Sequence, residues 1–201
     1  NYGIAHGSMV AKHGAGLSMF GTKLRLTEYQ AAIGLVQLKR LEAQTTIRAE
    51  NAAYLKSRLE SIPGIIPYKL YDHVTRVSFH LFPFRYKKEA FRGLTRAAFL
   101  KALSAEGVPC SSGYVTLNTQ PFIANAFQSK NFKKMYSPKQ LDYNKYMERN
   151  RCPQNDILCN EEAVWFTQNI VLGSRSDMDY IVAAIEKIHK NAEAIKRSQE
   201  S

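Results

Sequence analysis

Gly21-Thr22-Lys23-Leu24-Arg25-Leu26-Thr27-Glu28-Tyr29-Gln30-Ala31-Ala32-Ile33-Gly34 is the stretch on which the reading of the chain turns. A basic loop runs directly into a helix start. Thr27 is placed to cap that helix, because its hydroxyl can accept from an orphan N–H of the first turn. Glu28 follows, where a carboxylate suits the positive end of the helix. Tyr29, Ile33, Val36 and Leu41, then Ala52, Leu55 and Leu59, lie close to helical spacing. Leu35 and Leu38 widen the apolar face. Pro63-Gly64 stops the run, so the spacing predicts one helix from 27 to about 61. That is far longer than the usual helix of about 11–12 residues, and it leaves room for a break near 44–46.

Upstream, residues 1–22 are glycine-rich and carry His6 and His13, which reads as irregular backbone with one short helix near 8–12. Downstream, 65–71 reads as a strand and 76–86 as a stronger one, with Val77, Phe79, Phe82 and Phe84. A helix follows from Leu94-Thr95 and ends at Gly107. Residues 108–114 are strand-like. Residues 115–160 are polar and irregular, with one short helix at 122–127. Within 163–172, residues 166–172 are strand-like, and Trp165 reads as a core residue. A last helix runs from a cap at 174–177 to about 196, burying Met178, Ile181, Ala184, Ile185 and Ile188. The order describes an α+β domain, a small sheet with helices packed on it.

The 201 residues suffice for a real core, and 45% apolar with 22% charged residues is ordinary globular composition. No apolar run is long enough to span a membrane, and no export signal opens the chain, so a cytoplasmic protein is expected. The first residue is Asn1, which reads as a start inside a longer frame. Net charge is +11, from 28 Lys+Arg against 17 Asp+Glu. That invites an anionic partner, but the cations are spread along the chain as on a solvated face. The three cysteines lack metal-ligand spacing, so no metal is expected, and reduced thiols are.

The opening stretch resembles the Gly-x-Asn-x-Arg-(Met/Leu)-(Thr/Ser)-Glu-(Leu/Phe/Tyr)-Gln-Ala-Ala segment of the DegT/DnrJ/StrS sugar aminotransferases, which are pyridoxal-phosphate enzymes. The Ser78-Phe79-His80-Leu81-Phe82-Pro83-Phe84-Arg85 strand, the Ala105-Glu106-Gly107-Val108-Pro109 turn, Asn118-x-Gln120-Pro121-Phe122 and the closing Leu172-Gly173 are similar too. Cys110-Ser111-Ser112-Gly113-Tyr114 is similar to the cyclitol branch, of the 2-deoxy-scyllo-inosose type. The resemblance implies an α+β piece of an α/β family, the small C-terminal domain of the fold-type-I aspartate-aminotransferase architecture. Residues 1–44 would be the tail of the large cofactor domain and the start of a connecting helix. Residues 45–201 would be the small domain.

The resemblance also assigns roles. In the family dimer the Gly-x-Asn-x-Arg loop of one subunit reaches the cofactor phosphate of the other. Lys23 stands at the Asn position, where it can still meet a phosphate as a point charge or stay an exposed loop lysine. Arg25 would hold the loop, bind a substrate carboxylate or pair with Glu28. His80, Tyr114, Gln120 and His6 would face the substrate, each with a packing role as the bland alternative. The lysine that bonds to the cofactor aldehyde sits, in the family, upstream of the segment matching Asn1-Tyr2-Gly3. No catalytic residue is therefore assigned, and the chain is expected to be inactive by itself.

Two function classes follow, with a third from charge alone. The first is the C-terminal part of a pyridoxal-phosphate aminotransferase, a homodimer acting on a keto sugar or keto cyclitol with glutamate or glutamine as donor. The second is a non-catalytic partner or degenerate homologue serving as a binding and assembly module. Nucleic-acid binding has no motif behind it.

Overall fold

The computed structural model describes residues 26–200, and the chain divides into two compact units between Gln44 and Thr45. Helix α1, Glu28–Leu59, runs without interruption, so the break for which the sequence left room near 44–46 is not present in it. Its start is doubly fixed. Gln30 N donates to Thr27 Oγ1 at 3.3 Å, and Thr27 N donates back to Gln30 Oε1 at 2.9 Å. This reciprocal cap uses Gln30 three residues on.

The second unit is built on a three-stranded antiparallel sheet: β1 (Ile65–Pro67), β2 (Leu81–Tyr86) and β3 (Ala163–Thr167), in that order. Ile65 pairs with Tyr86, Phe82 with Phe166 and Phe84 with Val164, and all of these side chains are buried. Helices α2 (Arg96–Ala105), α7 (Arg175–Lys190) and α8 (Ala192–Glu200) contact one another and bring Phe99, Leu103, Met178 and Ile185 into the same core. Leu55 and Leu59 of α1 join it. The Tyr86 ring stacks on Phe99 at 4.4 Å, and its hydroxyl donates to Leu94 O at 2.8 Å. A buried phenol needs such a partner. The result is α+β, as the element order predicts.

Several elements are shorter than the sequence suggests, for local reasons. β1 ends at Pro67; Tyr68 N still donates to Pro83 O at 3.2 Å, but Pro83 has no N–H to continue the ladder. The expected strand over 76–86 begins only at Leu81, because Phe79 takes the left-handed conformation with φ of 50°. Residues 108–114 form one bridge, Ser111 to Trp165, before Gly113 turns the chain at φ of 86°. A Cβ on Gly113 would come within 2.8 Å of the Trp165 ring, so both conformation and space demand glycine there. The strand-like stretch at 166–172 is displaced: β3 occupies Ala163–Thr167, and Ile170–Leu172 form a 3₁₀ turn. The final helix is two, α7 and α8, parted at Asn191, whose side chain donates to Lys187 O at 2.8 Å.

The short helix expected at 122–127 is present as α3 (Pro121–Gln128), and the rest of the region read as irregular is largely helical too: α4 (Lys130–Met135), α5 (Tyr143–Arg149) and α6 (Pro153–Ile157). Each start has a local signal. Ser129 and Asp142 accept from Phe132 N and Lys145 N, and Pro121 and Pro153 occupy the first helical position. Short helices without an apolar stripe leave no periodicity to read.

Candidate functional site

Alternation along the sheet fixes a second face. While Phe82, Phe84, Val164 and Phe166 point into the core, Ile66, Pro83, Arg85, Ala163 and Trp165 occupy the alternate positions. Trp165 is thus on the face away from the core, which corrects the expectation of a core residue. A cavity of about 1070 Å³ lies on this face. Its walls include Trp165, Tyr114, Ile66, Pro83 and Leu158, with Asn118 and Asn155 as polar lining. Tyr114 is 68% exposed and meets Trp165 edge-on, centroids 4.9 Å apart. On the core side, Tyr68 packs edge-on to Phe82 at 5.3 Å, and burial pushes its phenol up to about 12.

The far wall is a π turn, Leu158–Glu162, leading into β3. Arg96 holds it. Its guanidinium donates to five carbonyls: Ser112 at 3.2 Å, Leu158 at 3.5 Å, Ala163 at 3.0 Å, and Cys159 and Asn160 at 2.9 Å each. Burial lowers the Arg96 pKa. At the end of the turn Glu162, 7% exposed, takes Arg85 Nε at 2.6 Å and also the Lys87 ammonium. Burial pushes the Glu162 carboxyl up, but the hydrogen bonds and charges of Arg85 and Lys87 outweigh it and leave it below its ordinary value. Nothing in the sequence pattern marks Arg96 or Glu162, since both act on partners more than 60 residues away or in irregular turns.

Of the residues proposed from sequence, Tyr114 lines the cavity, whereas His80 and Gln120 do not. His80 is exposed, one residue after the left-handed Phe79 and one before β2. It makes no hydrogen bond among the described residues. Gln120 precedes α3 and donates from Nε2 to Thr116 O at 2.8 Å, so half of its amide serves its own turn. Lys23, Arg25 and His6 lie outside the described residues. So does the suggested pairing of Arg25 with Glu28.

A pyridoxal-type cofactor carries a phosphate, which demands converging N–H donors or free cations. The cavity walls are mainly apolar and carry two cations, Arg85, which is held by Glu162, and Lys69. That cavity therefore offers a phosphate one lysine rather than a converging set of donors. No cluster of metal ligands occurs among the described residues.

The sequence profile of the DegT/DnrJ/EryC1/StrS aminotransferase family matches residues 2–139, well over half of the chain. The chain belongs to that family. Among curated members, it is 28% identical over 171 residues to the L-glutamine:2-deoxy-scyllo-inosose aminotransferase of Streptoalloteichus tenebrarius, covering 85% of this chain and 39% of that protein. It is 29% identical over 192 residues to a putative L-glutamine:3-amino-2,3-dideoxy-scyllo-inosose aminotransferase of Micromonospora echinospora, covering 90% of this chain and 43% of the relative. The chain thus spans about two fifths of the length of these DegT/DnrJ/EryC1/StrS relatives. A sugar aminotransferase from Micromonospora echinospora has the same fold, with a TM-score of 0.66 at 20% identity over 92% of this chain and 42% of that one. The 3-amino-5-hydroxybenzoic acid synthase structure gives 0.65 at 22%, over 85% and 41%. The small antiparallel sheet with its helices is therefore an α+β part of the aminotransferase fold of this family.

Proposed function

We propose that this chain is the C-terminal portion of a pyridoxal-phosphate aminotransferase that moves an amino group from glutamine or glutamate onto a keto sugar or keto cyclitol. Residues 1–44 complete the cofactor domain and begin the connecting helix, and residues 45–201 are the small domain. The observation that carries the reading is the family match over 2–139, which contains His80, Tyr114 and Gln120. The names of the curated relatives above pair L-glutamine with inosose-type cyclitols.

The cofactor supplies the electron sink for amino transfer; this chain's residues supply the substrate side. The Tyr114 and Trp165 rings offer the apolar wall on which the C–H face of a sugar or cyclitol ring packs. His80, exposed and free of hydrogen-bond partners among the described residues, is available to a substrate oxygen. Gln120 has its amide oxygen left for a hydroxyl. Lys23 meets the cofactor phosphate of the second subunit, Arg25 binds substrate or steadies that loop, and His6 borders the entrance. The exposed Tyr29, Ile33, Leu35 and Leu38 of α1 suit a helix covered by the rest of a homodimer. The protein works in the cytoplasm.

A second reading, a partner subunit or degenerate homologue acting in assembly, is favoured by Lys23 at the family's Asn position. The deciding experiment uses the complete protein that carries this chain, saturated with pyridoxal phosphate. Amino transfer from L-glutamine to 2-deoxy-scyllo-inosose and to a panel of nucleotide-linked keto sugars is followed by mass spectrometry. Transfer to one acceptor supports the enzyme. No transfer to any, with stable self-association, supports the assembly module.

A further inference from the structure

A bulky side chain rarely takes positive φ, and such strain persists only where the surroundings over-determine it. Phe79 has φ of 50° and is only 6% exposed. Its ring packs on Tyr68 at 5.2 Å. The residue before it, Ser78, gives its carbonyl to Arg48 Nε at 3.0 Å. Arg48 is 4% exposed and donates from Nη2 to Thr45 Oγ1, also at 3.0 Å. Two residues after Phe79, Leu81 enters the sheet opposite Thr167. The left-handed turn is thus pinned on both flanks and at its ring. The residue it delivers, His80, is exposed.

A buried guanidinium holding one loop carbonyl is costly to bury and would be poor economy for stability alone. We infer that Arg48 is a positioning residue: by holding the Ser78 carbonyl it fixes the Phe79 turn, and through that turn it sets where the His80 imidazole stands for the keto substrate. The inference rests on the reading of His80 as a substrate-contacting residue. Arg48 itself touches no substrate. The Nε–H is the group that matters, because it alone reaches Ser78; a lysine keeps the charge but offers an ammonium instead of the fork.

The test compares Arg48→Lys, Arg48→Ala and His80→Ala. In isotope-labelled chain, the Phe79 amide-to-Cα-proton coupling reports φ, and the His80 ring signals report its placement. Core signals of Phe166 and Leu103 serve as the fold control, and Arg48→Lys guards against loss of folding in Arg48→Ala. In the complete protein, the keto-substrate and amino-donor half-reactions are timed separately. Both Arg48 variants are expected to move the Phe79 coupling and the His80 signals with the core signals in place. They should lower kcat/KM for the keto substrate on the order of 100-fold, Arg48→Lys less than Arg48→Ala, with the donor half-reaction within about twofold. If Phe79 and His80 stay as in the parent, or if His80→Ala impairs the keto half-reaction and neither Arg48 variant does, the inference is overturned. If His80→Ala leaves that half-reaction unchanged, the substrate role of His80 falls instead, whatever the spectra show.

Discussion

Helix α1 holds two kinds of surface in one continuous element. From Thr45 to Leu59 its apolar residues do what a core demands: Ala52, Leu55 and Leu59 are fully buried, and Asn51 donates to Val171 O at 3.1 Å and Gly173 O at 2.8 Å. From Glu28 to Gln44 residues of the same kind stand open, with Tyr29 at 85%, Leu38 at 65% and Ile33 at 64% exposure. A helix apolar on several sides is normally covered on several sides. The difference teaches that helical periodicity reports which residues want cover, not what provides it.

The comparison can be broken most sharply by truncating each half. Leu55→Ala should destabilise the chain by about 2–5 kcal/mol, since it leaves a cavity in a close-packed core. Ile33→Ala should change the urea midpoint by no more than about 0.5 kcal/mol equivalent. Equal losses at both positions would show that the open half is covered within this chain.

Arg96 sharpens the contrast within the second unit. Arg96→Met strips the donors from five carbonyls, and each hydrogen bond to a charged group contributes about 1.5–3 kcal/mol. With partial access of water, a net loss of about 3 kcal/mol in urea unfolding is expected. An unchanged midpoint would mean that water replaces the guanidinium without loss.

Glu162 should show itself through pH. Its carboxyl titrates lower in the folded chain than its ordinary value of 4.5. Its stabilisation is therefore complete above about pH 4.5 and is lost as pH falls through the folded value. Glu162→Gln should cost about 1–2 kcal/mol at pH 7 and flatten stability against pH below 5. A parallel acid profile in parent and variant would contradict this. A modest effect belongs to the α7 cap, where Ser174 Oγ accepts from Asp177 N at 3.2 Å and Asp177 Oδ2 accepts from Ser174 N at 2.7 Å. Ser174→Ala should cost about 1 kcal/mol, read from the melting midpoint.

The legible parts of this molecule are those where one local rule speaks alone. The α1 start, the Gly107 stop, the α7 stripe and the strands around Phe84 and Phe166 all follow from caps or periodicity. The 76–86 strand misled because its composition is right and only tertiary clamps, Arg48 on Ser78 and the core around Phe79, force the left-handed turn. Trp165 misled because hydrophobicity does not tell the two faces of a sheet apart; the register with Pro83 and the neighbouring Gly113 does. Tyr114, named from the family resemblance, stands beside the cavity, whereas Arg96 and Glu162 needed contacts across the chain.

The central claim is that the chain supplies the keto-substrate side of an aminotransferase. The most direct test is a single-turnover measurement on the complete protein loaded in its amino form, mixed with 2-deoxy-scyllo-inosose or an accepted keto sugar, for the parent and His80→Ala. The account predicts amino transfer in the parent and a loss on the order of 100-fold in the variant, with the glutamine half-reaction kept. Equal rates in both proteins would contradict it.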